Sequence, residues 1–506
     1  MDRTVEIPTR TDINTVYTRP GEPLAPLACA SCKKQKRRCD KLLPTCSLCR
    51  RIGRHCDYID DTRPTNTAAE ELSALRQEVV DLKNLVSSAL RGGGPSSNWP
   101  TPSFPSLIFL DGSAFDSPLQ MHNGNVRAPT AVLNAMGSAA EARVMVDHYF
   151  ATVHTYFPIL CRTRMYQQLT SEPGAGMVLL LLAMKLVCDV PVESAQGQLY
   201  QDVKNFYSSQ EAQNGPELPL LQALVLISLY EIGHGIYPAA YLSTGHAARL
   251  GHTLGLHGSK APQIISGFQC WPEQEEGRRT WWAVLILDWL VNIGSCGKRP
   301  LATPHPTADS ALPADEAQFE SINHPTERLS LSAPYSVRVS PFARTCQAFT
   351  LLGRVITHEE TDDGEAIQLS ENLQTLASVI EDEVDSLAIC YNALLSLYET
   401  YSRREKSPSN KQVPLQNEST EGLSNISIAV LTLSRRIRMA NIQLITPFVI
   451  PCLYNAAKVL AMFVKSNPTC VEHVEELKDC LSFVGQRWRV CGLYFDILWE
   501  ARLTRL

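Results

Sequence analysis

Six cysteines, Cys29, Cys32, Cys39, Cys46, Cys49 and Cys56, constrain this chain more than any other feature. The spacing C-x2-C-x6-C occurs twice, with the second copy offset by 17 residues. A C-x2-C pair lets two thiolates bite one metal ion, and soft sulfur donors select Zn²⁺ in a reducing cell. Two tetrahedral ions need about eight ligand positions, so six cysteines serve two zinc ions only if two thiolates are shared. The competing count, one zinc on four thiolates, strands two cysteines and leaves the repeat without a cause. His55 is a donor by type, but six suitably spaced thiolates leave it no vacancy. With every position closed by sulfur, such zinc is structural and offers no place for a catalytic water.

The charge distribution points the same unit at a partner. The chain has 506 residues, 46 Lys+Arg against 52 Asp+Glu, and a net charge of -6, which as an average argues against nucleic acid. Within 29–56, however, Lys33, Lys34, Lys36, Arg37, Arg38, Lys41, Arg50, Arg51 and Arg54 oppose only Asp40, a surplus of eight positive charges. Two Zn²⁺ and six thiolates reduce that to +6, and the rest of the chain carries -14. A charge run is usually a solvated face. On metal-pinned helix starts it reads as an electrostatic footprint for double-stranded DNA.

At roughly 150 residues per domain, the length suggests about three units. Residues 1–28, with four prolines and no apolar period, read as a disordered arm. Residues 57–67 read as a polar linker. From 68 to 90, Leu72, Leu75, Val79, Leu82 and Val86 step by 3 and 4, the a/d spacing of a coiled coil and an expected homodimer contact. Gly92-Gly93-Gly94-Pro95 ends that pattern, and 91–137 reads as a flexible linker. From 138 to 506 the patterning is helical, broken at the Pro-rich stretch 302–341 and the polar stretch 403–424. No apolar run approaches the roughly 18 residues of a membrane span; the longest, Met177 to Met184, is eight. The opening MDRTVEIPTRTD holds no apolar signal core, so a reducing compartment is expected. The ten cysteines beyond the cluster then read as small buried hydrophobes.

Residues 29–56 resemble the fungal zinc binuclear cluster family of DNA-binding transcription factors. The likeness rests on all six cysteines, the run KKQKRR after the second, Asp40 after the third and Pro44 two before the fourth. It implies that Cys29 and Cys46 bridge two zinc ions, Cys32 and Cys39 completing one and Cys49 and Cys56 the other. It also implies CGG-like half-sites, dimeric binding and a nuclear location. A helix from Cys32 to Arg38 is expected to enter the major groove, where Lys36 donates to guanine O6 and N7. Arg50, Arg51 and Arg54 are expected on phosphates, which position without specifying. VDHYFATVHTYFPIL (146–160), GHAARLGHTLGLH (245–257), EGRRTWWAVLILDWL (276–290) and GKRPL (297–301) resemble the family's middle regulatory domain, and QRWRV (486–490) fits more loosely. The fold class is thus mostly α: a small N-terminal binuclear zinc cluster, a short coiled coil and a large all-helical regulatory domain.

The function expected is sequence-specific transcriptional regulation of a metabolic gene cluster, as activator or repressor. Enzyme chemistry finds no support, since no G-x-x-x-x-G-K-[ST], H-E-x-x-H or G-x-S-x-G occurs. A zinc-dependent interaction module of RING or LIM type would need longer, unequal spacings, usually with histidine. In the helical region, Trp281, Trp282 and Trp289 read as core, Arg278 and Arg279 as partners of acidic neighbours such as Asp288, and His252 and His257 as capping or packing. Burial is expected for the tail aromatics from Gly492 to Trp499; if exposed, that tail would meet transcriptional co-regulators.

Overall fold

A computed structural model describes residues 23–58 and 128–503, apart from 192, 259–267, 269, 295–298, 322–327 and 404–413. The heptad residues Leu72, Leu75, Val79, Leu82 and Val86 lie outside the described residues, as does Cys296. The chain divides into two units, Met1–Pro100 and Thr101–Leu506, where length alone suggested about three.

In the first unit two five-residue helices, α1 (Ala30–Lys34) and α2 (Ser47–Arg51), each begin immediately after a cysteine. Residues 23–26 belong to this unit rather than to a loose arm. Leu24 forms a β-bridge with Leu42, the Ala25 N–H donates to the Lys41 carbonyl at 2.8 Å, and Ala25 is buried. Proline-rich sequence hides such pairing because its signal lies in the partner strand, not in its own periodicity.

The second unit is helical, and its described residues contain no strand beyond a single bridge, Ala311 to Ser330. It starts before residue 138. Helix α3 (Thr130–Met136) occupies the end of the expected linker and stops at Gly137, whose φ of 81° suits a residue without Cβ. Ser138 then opens α4 (Ala139–Ala151) with a capping box: the Glu141 N–H donates to Ser138 Oγ at 3.3 Å, and the Ser138 N–H to Glu141 Oε2 at 2.7 Å.

Beyond α5 (Arg162–Gln168), three helices carry the core: α6 (Ala175–Cys188), α8 (Leu218–Gly233) and α10 (Trp271–Asn292). Helices α6 and α8 are apolar nearly all round, the pattern of a helix enclosed by others, and α10 is buried along almost its whole length although its first half is charged. Leu179 to Leu182, Trp282 and Trp289 are at most 2% exposed. Helix α7 (Gln198–Asn214) flanks α6, and α9 (Ala239–Thr253) packs on both α8 and α10. His252 and His257 meet each other tilted and Trp281 edge-on, contacts of the kind expected of packing residues.

The chain continues through the single turn α11 (Glu316–Phe319), α12 (Pro341–Thr357), α13 (Asp363–Val379) and α14 (Val384–Ser402). Helix α15 (Pro414–Met439) then begins inside the stretch that polar composition marked as a break. Pro414 is its first residue, where a missing N–H costs nothing, and Ser419 and Leu423 are buried on its inward face. The last helices are α16 (Val449–Phe463), α17 (Cys470–Gly485) and α18 (Val490–Leu503). One continuous hydrophobic cluster runs from Val132 to Leu498.

Two buried arginines tie distant segments into that core. Arg487 donates to the Val187 carbonyl at 2.6 Å and the Asp189 carbonyl at 3.1 Å, closing the C-terminal end of α6 from some 300 positions away. Arg279 pairs with Glu275 and Glu316 at 3.2 and 2.9 Å, and donates to the carbonyls of Pro158 and Ala314 at 3.0 and 2.7 Å. The expected partner Asp288 instead accepts the N–H and hydroxyl of Thr303 at 2.8 and 2.7 Å. One helical turn sets Arg279 beside Glu275, whereas Asp288 lies nine residues further along the helix, well over two turns away. Eight of the cysteines beyond the cluster are buried, but Cys270 is exposed, at the residue preceding α10. In the tail, Leu498 is buried while Leu493 and Ile497 are about half exposed.

Candidate metal centre and nucleic-acid interface

The cysteines form two groups of four, Cys29, Cys32, Cys39, Cys46 and Cys29, Cys46, Cys49, Cys56, with sulfur atoms within 4.8 Å of one another. Cys29 and Cys46 occur in both groups. The sulfur atoms lie 3.9 Å apart for Cys29 and Cys46, and 3.8 Å apart for both Cys29 and Cys49 and Cys32 and Cys46. A zinc–sulfur bond of about 2.3 Å makes the edge of a ZnS₄ tetrahedron about 3.8 Å. A disulfide at about 2.05 Å is far shorter, and these cysteines are free. The sulfur set therefore fits two zinc ions.

Local structure explains how the short sequence holds this arrangement. Cys29 and Cys46 are the N-cap residues of α1 and α2, and Cys32 and Cys49 follow one turn later on the inner side. The Cys49 N–H donates to Cys46 Sγ and the Cys46 N–H to Cys56 Sγ, both at 3.4 Å, so backbone donors stabilise sulfur charge. Burial pushes the Cys32 and Cys49 thiols up, the neighbouring sulfurs adding to the effect. At Cys39 burial acts upward too, but backbone hydrogen bonds at Cys29 and Lys41 outweigh it and bring that thiol to about 7. A dication is what such a crowd of sulfurs requires to ionise together. Asp40 accepts the Ser47 N–H at 3.1 Å and so fixes the start of α2. His55 turns outward to Asp57 at 2.9 Å, away from the sulfurs.

The 17-residue repeat is visible in the backbone as well. Arg37 N–H donates to the Cys32 carbonyl and Arg54 N–H to the Cys49 carbonyl, each at 3.0 Å. Lys36 and Gly53, the equivalent residues, both take left-handed conformations, with φ of 49° and 61°. Thus α1 ends at Lys34, and the expected helix from Cys32 to Arg38 does not form: the chain must curl back after one turn to deliver Cys39. Lys36 projects from that turn rather than from a helix. A left-handed lysine is uncommon, and glycine adopts the conformation freely. The first half retains the strained residue, while the second half has glycine and no side chain at the matching place. Aligning the two repeats would have exposed this asymmetry in sequence.

Lys33, Lys34, Lys36, Arg37, Arg38, Arg50, Arg51 and Arg54 are all exposed, and none forms an ion pair among the described residues. Lys41 differs: its Nζ donates to the Pro26 carbonyl at 3.1 Å, a structural role. The result is a sulfur-held unit whose surface is cationic and uncompensated.

Comparison with known proteins agrees with this geometry. The model of the fungal Zn(2)-Cys(6) binuclear cluster domain matches residues 27–65, and that of the fungal specific transcription factor domain matches residues 146–435. Transcription factor BOA15 of Botryotinia fuckeliana is 39% identical over 136 residues, 26% of this chain and 76% of that protein. Transcription factor tazR of Aspergillus terreus is 29% identical over 47% of the chain, a match spanning only 40% of tazR itself. The azaphilone cluster-specific transcription factor azaR of Aspergillus niger is 24% identical over 71% of the chain and 78% of its own length. No solved structure gave a significant match. With a paired-sulfur centre for two zinc ions followed by this helical domain, the chain belongs to the fungal Zn(2)-Cys(6) transcription factors that carry a fungal specific transcription factor domain.

Proposed function

We propose that this chain is a nuclear, sequence-specific regulator of RNA polymerase II transcription that binds CGG-like half-sites as a homodimer and controls a biosynthetic gene cluster. The observation that carries the reading is the exposed, unpaired cationic surface on a unit whose backbone is pinned by six sulfurs. Phosphate contacts from such a surface supply affinity without sequence information. Base selection falls to Lys36, lifted clear of the helix by its left-handed turn, with guanine O6 and N7 as acceptors in the major groove. Arg50, Arg51 and Arg54 hold phosphates, and Gly53 at the matching position leaves the second half without a base reader. Cys29 and Cys46 bridge the zinc ions. The cluster-specific relatives support the choice of target genes.

Competition gel shifts test the assignment. Lys36→Ala should cost about 1–3 kcal/mol on a cognate probe while changing affinity for scrambled DNA little. Equal losses on both probes would remove Lys36 as the base reader. One half-site of about three base pairs selects poorly in a genome, so the segment 68–90 should double it. Its deletion should weaken binding to a paired-half-site probe at least tenfold more than to a single half-site. Equal effects on the two probes would exclude that segment as the dimer contact. Mapping of bound sites with expression profiling after gene deletion would report the half-site, the pathway and the sign of regulation together.

A further inference from the structure

The helical unit contains a cavity of about 490 Å³ where the turn after α4 meets α11 and the first residues of α12. Phe150 and Phe342 supply apolar wall, and His154, Arg162, Glu316 and Glu320 supply its charged or titratable groups. The volume lies within the usual range for small-molecule sites, about 300–1,000 Å³.

We propose that this cavity binds a small planar organic anion, an aromatic or conjugated carboxylate, with its ionised oxygens on Arg162 and His154 and its carbon skeleton against Phe150 and Phe342.

Charge selects the class. Glu316 is occupied by Arg279 at 2.9 Å. Glu320 accepts the backbone N–H groups of Arg162 and Thr163 at 2.8 and 2.9 Å and the Thr163 hydroxyl at 2.8 Å. Glu316 is therefore ion-paired, and both oxygens of Glu320 are engaged by donors of the chain itself. The Arg162 guanidinium lies 5.1 Å from the centre of the Phe150 ring and has no ion-pair partner among the described residues. It is the cation of the lining whose donors await an acceptor.

His154 adds a second donor. The residue is 7% exposed, and its Nδ1 is buried with no hydrogen-bond partner among the described residues. Burial, reinforced by the fields of Arg279 and Arg162, pushes its pKa down to about 3, so the ring is neutral and the local potential is positive. Nδ1 is sealed, which leaves Nε2 as the nitrogen a ligand can engage. An anionic oxygen at Nε2 accepts from the neutral ring when that nitrogen carries the proton, which leaves Nδ1 as the unprotonated nitrogen in the sealed position. Phe150 packs edge-on against His154 at 4.7 Å, which fixes the ring for that contact.

The test uses the full chain and a fluorescent probe, 3-hydroxy-2-naphthoate, with its methyl ester as the uncharged control. The acid should bind wild type about tenfold or more tightly than the ester, since a charge-assisted bond distinguishes them. Arg162→Gln, at an exposed position that leaves the core intact, should remove that preference by weakening the acid alone. Thr155→Trp, which fills the cavity from its exposed rim, should abolish binding of both. The proposal is overturned by equal binding of acid and ester to wild type, by a preference that survives Arg162→Gln, by binding unaffected by Thr155→Trp, or by no binding of the acid at millimolar concentration. DNA binding is not part of the readout, so failure here leaves the DNA-binding reading standing, and the reverse.

Discussion

Wild-type protein should carry two zinc ions per chain by elemental analysis, and removing them should unfold residues 23–58 outright. The physical reason is the composition of that unit's interior. Its buried cluster consists of Cys29, Cys32, Cys46 and Cys49, with no leucine or aromatic residue fully enclosed beside them. Units below about 40 residues rarely fold on apolar burial alone, and structural zinc contributes apparent free energies of about 10–16 kcal/mol. Chelation should therefore abolish DNA binding and erase the ordered amide signals of this unit, while the helical unit keeps its circular dichroism. Single substitutions separate the roles of the sulfurs. Cys29→Ser removes a member of both groups and should lose both ions. Cys39→Ser leaves Cys29, Cys46, Cys49 and Cys56 in place and should retain one. One zinc in wild-type protein, or identical metal content in the two variants, would rule out the shared-sulfur arrangement.

The second large effect is expected at Arg279. Its side chain is fully buried against a fully buried Glu275, and it also anchors Pro158, Ala314 and Glu316. Removing one partner of a buried pair typically costs about 3–5 kcal/mol, because the other charge stays enclosed. Here Glu275 keeps Arg278 and the Ala314 N–H, so Arg279→Met should fall near the lower end, about 3 kcal/mol. The double variant Arg279→Met, Glu275→Gln should recover part of that loss, since the fully buried carboxylate goes with its partner and only the half-exposed Glu316 is left unpaired. Urea unfolding followed by tryptophan fluorescence reads both, with the midpoint shifting and the slope unchanged. A shift below about 1 kcal/mol would mean the network is solvated in solution. Because Arg279 also holds Glu316 and flanks the cavity at His154, the same substitution should loosen the α11 turn that rims it.

Much of the architecture was legible because it rests on local rules. Helices α6, α8 and α10 announce themselves as apolar runs punctuated by Gly and Pro, and Ser138 with Glu141 is a capping box readable by eye. The tryptophans of α10 are core, as their spacing implies. What the patterning misjudged were segments whose order comes from elsewhere in the chain. Residues 414–424 look like a polar break, yet they are the first turns of α15, held to the core at Ser419 and Leu423. Residues 311–320 look like a Pro-rich loop, yet they are held by Arg279 and Glu275 through contacts spanning more than 30 positions. Arg278 and Arg279 do pair with an acidic neighbour, but it is Glu275, one helical turn away, rather than Asp288, which lies well over two turns from Arg279.

For the zinc unit the sequence by itself determined the essentials: six thiolates in a repeated spacing, nine basic residues against one acid, and therefore two shared-sulfur metal sites under a cationic surface. Donor count and valence decide that, and neither needs coordinates. Tertiary structure decided what depends on backbone conformation and on distant contact. The left-handed turn at Lys36, mirrored by Gly53, follows because the chain must reverse to deliver the third cysteine. The cavity at His154 and Arg162 exists only because α4, α11 and α12 converge there from three separate stretches of sequence. Covalent spacing is written in the chain, whereas a cavity is a property of segments that meet only when the core has closed around them.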